Sequence, residues 1–147
     1  MSKTISLHHI VFGTKHRLST INDTHREDLY RFIWHLLKER NCFLCRINGM
    51  PDHIHLLIDL NPNQALSVLM KELKTYTSQW MKKSGYFPVF EGWGKGYYAA
   101  SVSFNDKDSV VKYIIDQQAH HQSASYENEM KGLYKRNCLQ WHDEDMG

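Results

Sequence analysis

From Asp52 to Leu60 polar and apolar residues alternate, with Ile54, Leu56, Ile58 and Leu60 on one side and His53 and His55 on the other. A period of two is the signature of a half-buried β-strand, and the turn-forming Gly49-Met50-Pro51-Asp52 before it predicts a hairpin. Leu7–Thr14 reads as a first strand and Cys42–Asn48 as a second. Between them, Asn22 or Asp23 is placed to cap a helix running to about Arg40, whose stripe is Leu29, Phe32, Ile33, Leu36 and Leu37. A second helix is expected from about Gln64 to Lys83, with Leu66, Leu69, Met70, Leu73 and Trp80 inward. Gly85–Gly96 forms a loop too aromatic to be a free linker, and Tyr97–Ser103 is the fourth strand. Asn105-Asp-Lys-Asp108 then caps a helix over Ser109–His121, docked by Val110, Val111, Ile114 and Ile115.

Strand, helix, strand, strand, helix, strand is the order of an α+β, ferredoxin-like (RRM-like) fold: a four-stranded antiparallel sheet with two helices on one face, here followed by a C-terminal helix. That topology puts the first and third strands at the centre and leaves the face bearing His53 and His55 uncovered. We expect one domain over residues 1–147, with a core from about 5 to 121 and a helical tail from about 122 to 147.

Composition narrows the picture. A hydrophobic content of 41% with 23% charged residues is that of a globular protein. No apolar run approaches a membrane span, and Met1–Ile5 leads straight into a strand, so a cytoplasmic protein is expected. Three cysteines argue against a disulfide framework. Cys42 and Cys45 with Cys138 and His142 could suggest zinc, but an odd spacing within a strand points Cys42 and Cys45 to opposite faces. A net charge of +2 restricts any nucleic-acid surface to a local patch.

Ten histidines occur partly as close pairs, His8-His9, His53/His55 and His120-His121. His53 and His55 are spaced to share one metal ion; the same spacing also suits two ordinary strand histidines, one hydrogen-bonded and one solvated. Tyr113 and Gln117 stand four apart on one helix and share a face, as a packed aromatic and a solvated amide also would.

Taken together, Pro51-Asp-His-Ile-His-Leu-Leu-Ile58, Trp93 with Tyr97-Tyr-Ala-Ala-Ser-Val-Ser103, Tyr113-Ile-Ile-Asp-Gln117 and the opening Ile10-Val-Phe-Gly-Thr-Lys15 make the chain resemble the HUH single-tyrosine transposases. These are insertion-sequence enzymes that act on single-stranded DNA, and they include the REP-associated tyrosine transposases. The resemblance implies that Tyr113 is the nucleophile and that His53, His55 and Gln117 bind a divalent metal, Mg²⁺ or Mn²⁺, in an uncharged site. It implies nicking and rejoining of single-stranded DNA through a 5′-phosphotyrosine, recognition of hairpins at element ends, and a homodimer in which Tyr113 could serve either its own or the partner's histidines. A single tyrosine on the helix fits the one-tyrosine branch. Candidate DNA contacts are the cations Lys15, Arg17, Lys71, Lys74, Lys82, Lys83 and Lys112, with Trp93 and Tyr98 as stacking platforms. The alternative is a non-catalytic or domesticated binder of single-stranded or hairpin nucleic acid on the same fold.

Overall fold

The computed structural model describes residues 2–120 and 125–142. Four strands, β1 (Leu7–Gly13), β2 (Phe43–Met50), β3 (His53–Asp59) and β4 (Tyr98–Val102), form an antiparallel sheet in the order β2-β3-β1-β4. The histidine strand is therefore central, as the pattern predicted. Hairpin pairing runs to Met50 opposite His53, so the β2–β3 turn is Pro51-Asp52 alone and Gly49 and Met50 belong to the strand. Gly49 is required there: a Cβ would collide with the carbonyl oxygen of His53 and lie 3.1 Å from the Cα of Ile54.

Helices α1 (Arg26–Glu39) and α2 (Leu66–Ser84) cover one face. Leu29, Ile33, Leu36 and Leu37 from α1 and Leu69, Met70, Leu73 and Met81 from α2 close over Ile10, Phe12, Ile54, Leu56 and Ile58. Each such side chain contributes about 1.5–3 kcal/mol on burial, which makes this the main folding core. Helix α1 starts later than the sequence suggests, because Asn22 accepts the backbone N–H of His25 in a preceding turn (2.9 Å) and does not cap the helix. Gly85, at φ 76°, ends α2, and the aromatic loop folds back onto the core through Phe87, Phe90 and Trp93.

The opposite face is not uncovered. After a 3-10 turn at Phe104–Asp106 come α3 (Lys107–Ile115), the short α4 (Gln117–His120) and α5 (Tyr126–Arg136). Val110, Val111 and Ile114 of α3 pack on Leu7 and Leu57, while Met130 and Leu133 of α5 pack on Val11 and Tyr98. These apolar contacts are the reason the face is closed. The single helix expected over Ser109–His121 is broken at Asp116, and Ile115 turns out to solvent. Asn48 of β2 donates to the carbonyls of Ile114 (2.9 Å) and Ile115 (3.1 Å), taking up the orphan C-terminal acceptors of α3. Residue 121 of the expected helix, and residues 122–124 and 143–147 of the expected tail, lie outside the described residues. No helix among the described residues is long and apolar enough to cross a membrane.

Replacing Gly49 with Ala should lower stability by roughly 1–3 kcal/mol, because the new methyl must displace the backbone that carries His53. Urea denaturation measures this; an unchanged midpoint would show that the hairpin relaxes freely.

Candidate metal and nucleophile centre

Alternation along the central strands builds the site. The register sets Val11 opposite His55 and Gly13 opposite His53, so His9, Val11, His53, His55 and Leu57 share the face beneath α3–α5. Both histidines of β3 are fully buried. His53 Nδ1 lies 2.7 Å from Asp52 Oδ1, and His55 Nδ1 lies 2.9 Å from His9 Nε2. With both Nδ1 atoms engaged, both Nε2 atoms face the same space.

That space holds the carboxylate of Glu129, from α5. Its Oε1 is 3.1 Å from His55 Nε2 and 3.4 Å from His53 Nε2. Its Oε2 accepts the Tyr113 hydroxyl at 2.6 Å and the Gln117 amide at 3.3 Å. Gln117 is also fully buried, with its Oε1 3.4 Å from His53 Nε2. The break at Asp116 puts it there: Gln118 pairs with Asn48 and the Gly49 carbonyl, which turns Gln117 inward. The structure thus brings Tyr113, His53, His55 and Gln117 into one cluster within a single copy of the chain.

Electrostatics follow from this packing. Burial alone would lower the pKa of His53, but hydrogen bonds to Asp52 and Glu129 outweigh it and hold the imidazole above its usual range. Burial likewise opposes ionisation of Glu129, yet its hydrogen bonds to His53, His55 and Tyr113 hold the carboxyl well below the carboxylate range. His9 is lowered to about 3 by burial and by His55, so it is neutral. Burial, then Glu129, push the Tyr113 phenol far up. An isolated phenol in this setting is a poor nucleophile and needs help from its surroundings.

One ligand atom each from His53, His55 and Glu129 lie within 4.8 Å of one another and could hold a metal ion. Two imidazole nitrogens with carboxylate and amide oxygens suit a divalent ion of intermediate or hard character, and the buried convergence of Nε2 atoms on an anion fits a cation site. The expectation of an uncharged site is corrected by Glu129, which adds a negative charge. Sequence reasoning missed this residue, although a signal was present: Tyr126, Glu129, Met130 and Leu133 follow the i, i+3, i+4, i+7 spacing of a buried helical stripe. His9 was visible only as half of a pair.

The proposed DNA contacts are scattered. Lys15, Lys71, Lys82, Lys83 and Lys112 are exposed, but Lys71, Lys82 and Lys83 ride on α2, across the sheet from the histidines. Lys74 donates to the carbonyls of Gly94 and Gly96, both at 2.7 Å, and secures the aromatic loop. Arg17 lies over the Tyr126 ring at 4.0 Å. Both stacking candidates make internal contacts. Trp93 donates to Thr77 (2.9 Å) with its ring against Phe12, and the buried Tyr98 is stacked by Tyr134. Cys42 is in the α1/α2 core and Cys45 packs on the other face, as their odd spacing predicts. A cavity of about 420 Å³ opens beside Tyr113, walled by His9, Tyr98, Ser101, Ser109 and Arg136.

Comparison with known proteins agrees with this architecture. A family model described as "Transposase IS200 like" matches residues 3–117, which leaves Glu129 beyond the matched region. The ISDra2 transposase TnpA of Deinococcus radiodurans is 24% identical over 117 residues, covering 75% of this chain and 82% of that one. A transposase crystal structure from Deinococcus radiodurans R1 superposes with a TM-score of 0.60 at 21% identity, over 80% of this chain and 95% of that chain. A REP-associated tyrosine transposase bound to a REP hairpin gives a TM-score of 0.64 at 15% identity, over 82% of this chain and 73% of that chain. Both solved structures share the fold.

The depressed pKa of Glu129 has a definite sign for stability. Its contribution is in force above the ordinary carboxylate pKa of about 4.3 and is lost as pH falls below it, because the unfolded chain then binds the proton first. Glu129→Gln should therefore lower the urea midpoint at pH 7 and flatten its decline between roughly pH 5 and pH 3. An equally steep decline in the variant would place the acid-labile group elsewhere.

Proposed function

Since the chain belongs to the IS200-like transposase family, we propose that it nicks and rejoins single-stranded DNA with Tyr113 as the covalent nucleophile. The observation that carries this reading is the convergence of the Tyr113 hydroxyl and both Nε2 atoms of His53 and His55 on one carboxylate. His53 and His55, with Gln117 and Glu129, would hold a divalent cation, Mg²⁺ or Mn²⁺. When bound, such an ion supplies charge stabilisation at the scissile phosphate.

The chain's own groups do the rest. Tyr113 Oη attacks phosphorus, forming a tyrosyl–phosphate bond as the bond to the 3′ oxygen breaks. Glu129 Oε2, 2.6 Å away, accepts the hydrogen bond of the Tyr113 hydroxyl and fixes its direction, and the phenolic proton is released to water as the new bond forms. The departing 3′ oxygen picks up a proton and becomes a hydroxyl. In rejoining, a 3′-hydroxyl attacks the 5′-phosphotyrosine and Tyr113 recovers its proton, so the bond energy is retained and no ATP is consumed.

Substrate would be single-stranded DNA carrying hairpins at element ends, met in the cytoplasm; a fold relative is described as bound to a REP hairpin. Arg17, over the Tyr126 ring, and Lys112 of α3 are our first choices for phosphate contacts, ahead of Lys15, which borders a cavity beside α2, and of Lys71, Lys82 and Lys83 on α2 itself. Because every reacting group comes from one copy, Tyr113 acts in cis in this reading, whether or not the protein is a homodimer.

With a hairpin-bearing oligonucleotide and Mn²⁺, the protein should form a covalent adduct on a denaturing gel, and Tyr113→Phe should form none. An adduct surviving in that variant would assign the nucleophile to another residue. Mixing Tyr113→Phe with His55→Ala should also yield no adduct, whereas restored cleavage in the mixture would mean that Tyr113 serves the partner's histidines.

A further inference from the structure

We infer that His9 is a positioning residue that holds His55 with its Nε2 turned toward the metal site. This rests on reading His53 and His55 as metal ligands. A ligating histidine is oriented by whatever its second nitrogen bonds, and that partner is commonly a carboxylate or a carbonyl. His53 follows the common pattern, with Asp52 Oδ1 at 2.7 Å from Nδ1. On His55 the same place is taken by a second imidazole, His9 Nε2 at 2.9 Å.

Strand geometry puts it there. His9 faces Leu57 across the β1–β3 ladder while Val11 faces His55, so His9 and His55 are diagonal neighbours on one face. Their rings stack with centroids 5.2 Å apart and planes 22° from parallel. His9 is in turn gripped edge-on by Tyr98 at 5.7 Å and by Tyr113 at 5.9 Å. The hydrogen bond between the two imidazoles contains a single proton. With His55 Nε2 directed at a cation, that proton must sit on His55 Nδ1, and His9 Nε2 must accept it. His9 therefore selects the tautomer of a ligand it touches and packs against the nucleophile's ring as well.

The test is Mn²⁺ binding to the full chain, followed by the electron paramagnetic resonance signal of the free ion. His9→Phe keeps the ring and the stack but removes the acceptor, and should weaken Mn²⁺ binding about 10–100-fold. His9→Gln offers an amide oxygen to His55 Nδ1 and should recover most of that loss. Thermal melting of both variants alongside the parent separates positioning from unfolding: the inference expects affinity to follow the acceptor and not the melting temperature. Parent-like affinity in His9→Phe, or an equal loss in both variants, overturns it. A parent protein that binds no Mn²⁺ overturns the metal reading and this inference together, whereas the Tyr113→Phe adduct assay judges the nucleophile independently.

Discussion

The carboxylate of Glu129 is the joint that ties the C-terminal helices to the sheet. Burying an anion costs several kcal/mol unless its oxygens are well partnered. Here one oxygen faces the imidazoles of β3 and the other accepts from Tyr113 of α3 and Gln117 of α4. Four elements thus meet at two oxygen atoms. Apolar contacts from Ile114, Met130 and Leu133 bring these helices onto the sheet, but such contacts tolerate sliding. The polar cluster does not, because a shift of one side chain would leave buried nitrogens without partners.

The two faces of the sheet consequently do different work. Under α1 and α2 the packing is aliphatic and aromatic, and it fixes β3 firmly from behind. On the other face the same strand presents histidines in a setting where each polar atom is oriented by a neighbour: Asp52 behind His53, His9 behind His55, Glu129 in front of both. A rigid rear and a hydrogen-bonded front are what a metal and nucleophile centre needs, since ligand directions must be set before a substrate arrives.

Much of this was legible in the sequence. Period-two alternation through Ile54, Leu56 and Ile58 gave the strand and its core face, and the order of elements gave the central placement of β3. Tyr113 and Gln117, singled out by the resemblance, do meet the histidines. The closure of the histidine face was not legible, because it depends on short apolar stripes in α3 and α5 that find their partners only in three dimensions. Glu129 was hidden for the same reason: a carboxylate on an amphipathic helix looks solvated until the opposing surface is known to be imidazole. The internal contacts of Lys74, Trp93 and Tyr98 were hidden as well, since cations and aromatics carry no mark in a sequence of the partners that hold them.

The central claim is that one copy of the chain assembles a cation site and a nucleophile in contact. Anomalous scattering from a crystal soaked with Mn²⁺ tests it most directly. The account predicts a single strong peak beside the Nε2 atoms of His53 and His55, within reach of the Glu129 carboxylate and next to the Tyr113 hydroxyl of the same copy. A peak elsewhere, or a Tyr113 hydroxyl drawn away from the ion-bound histidines, would contradict it.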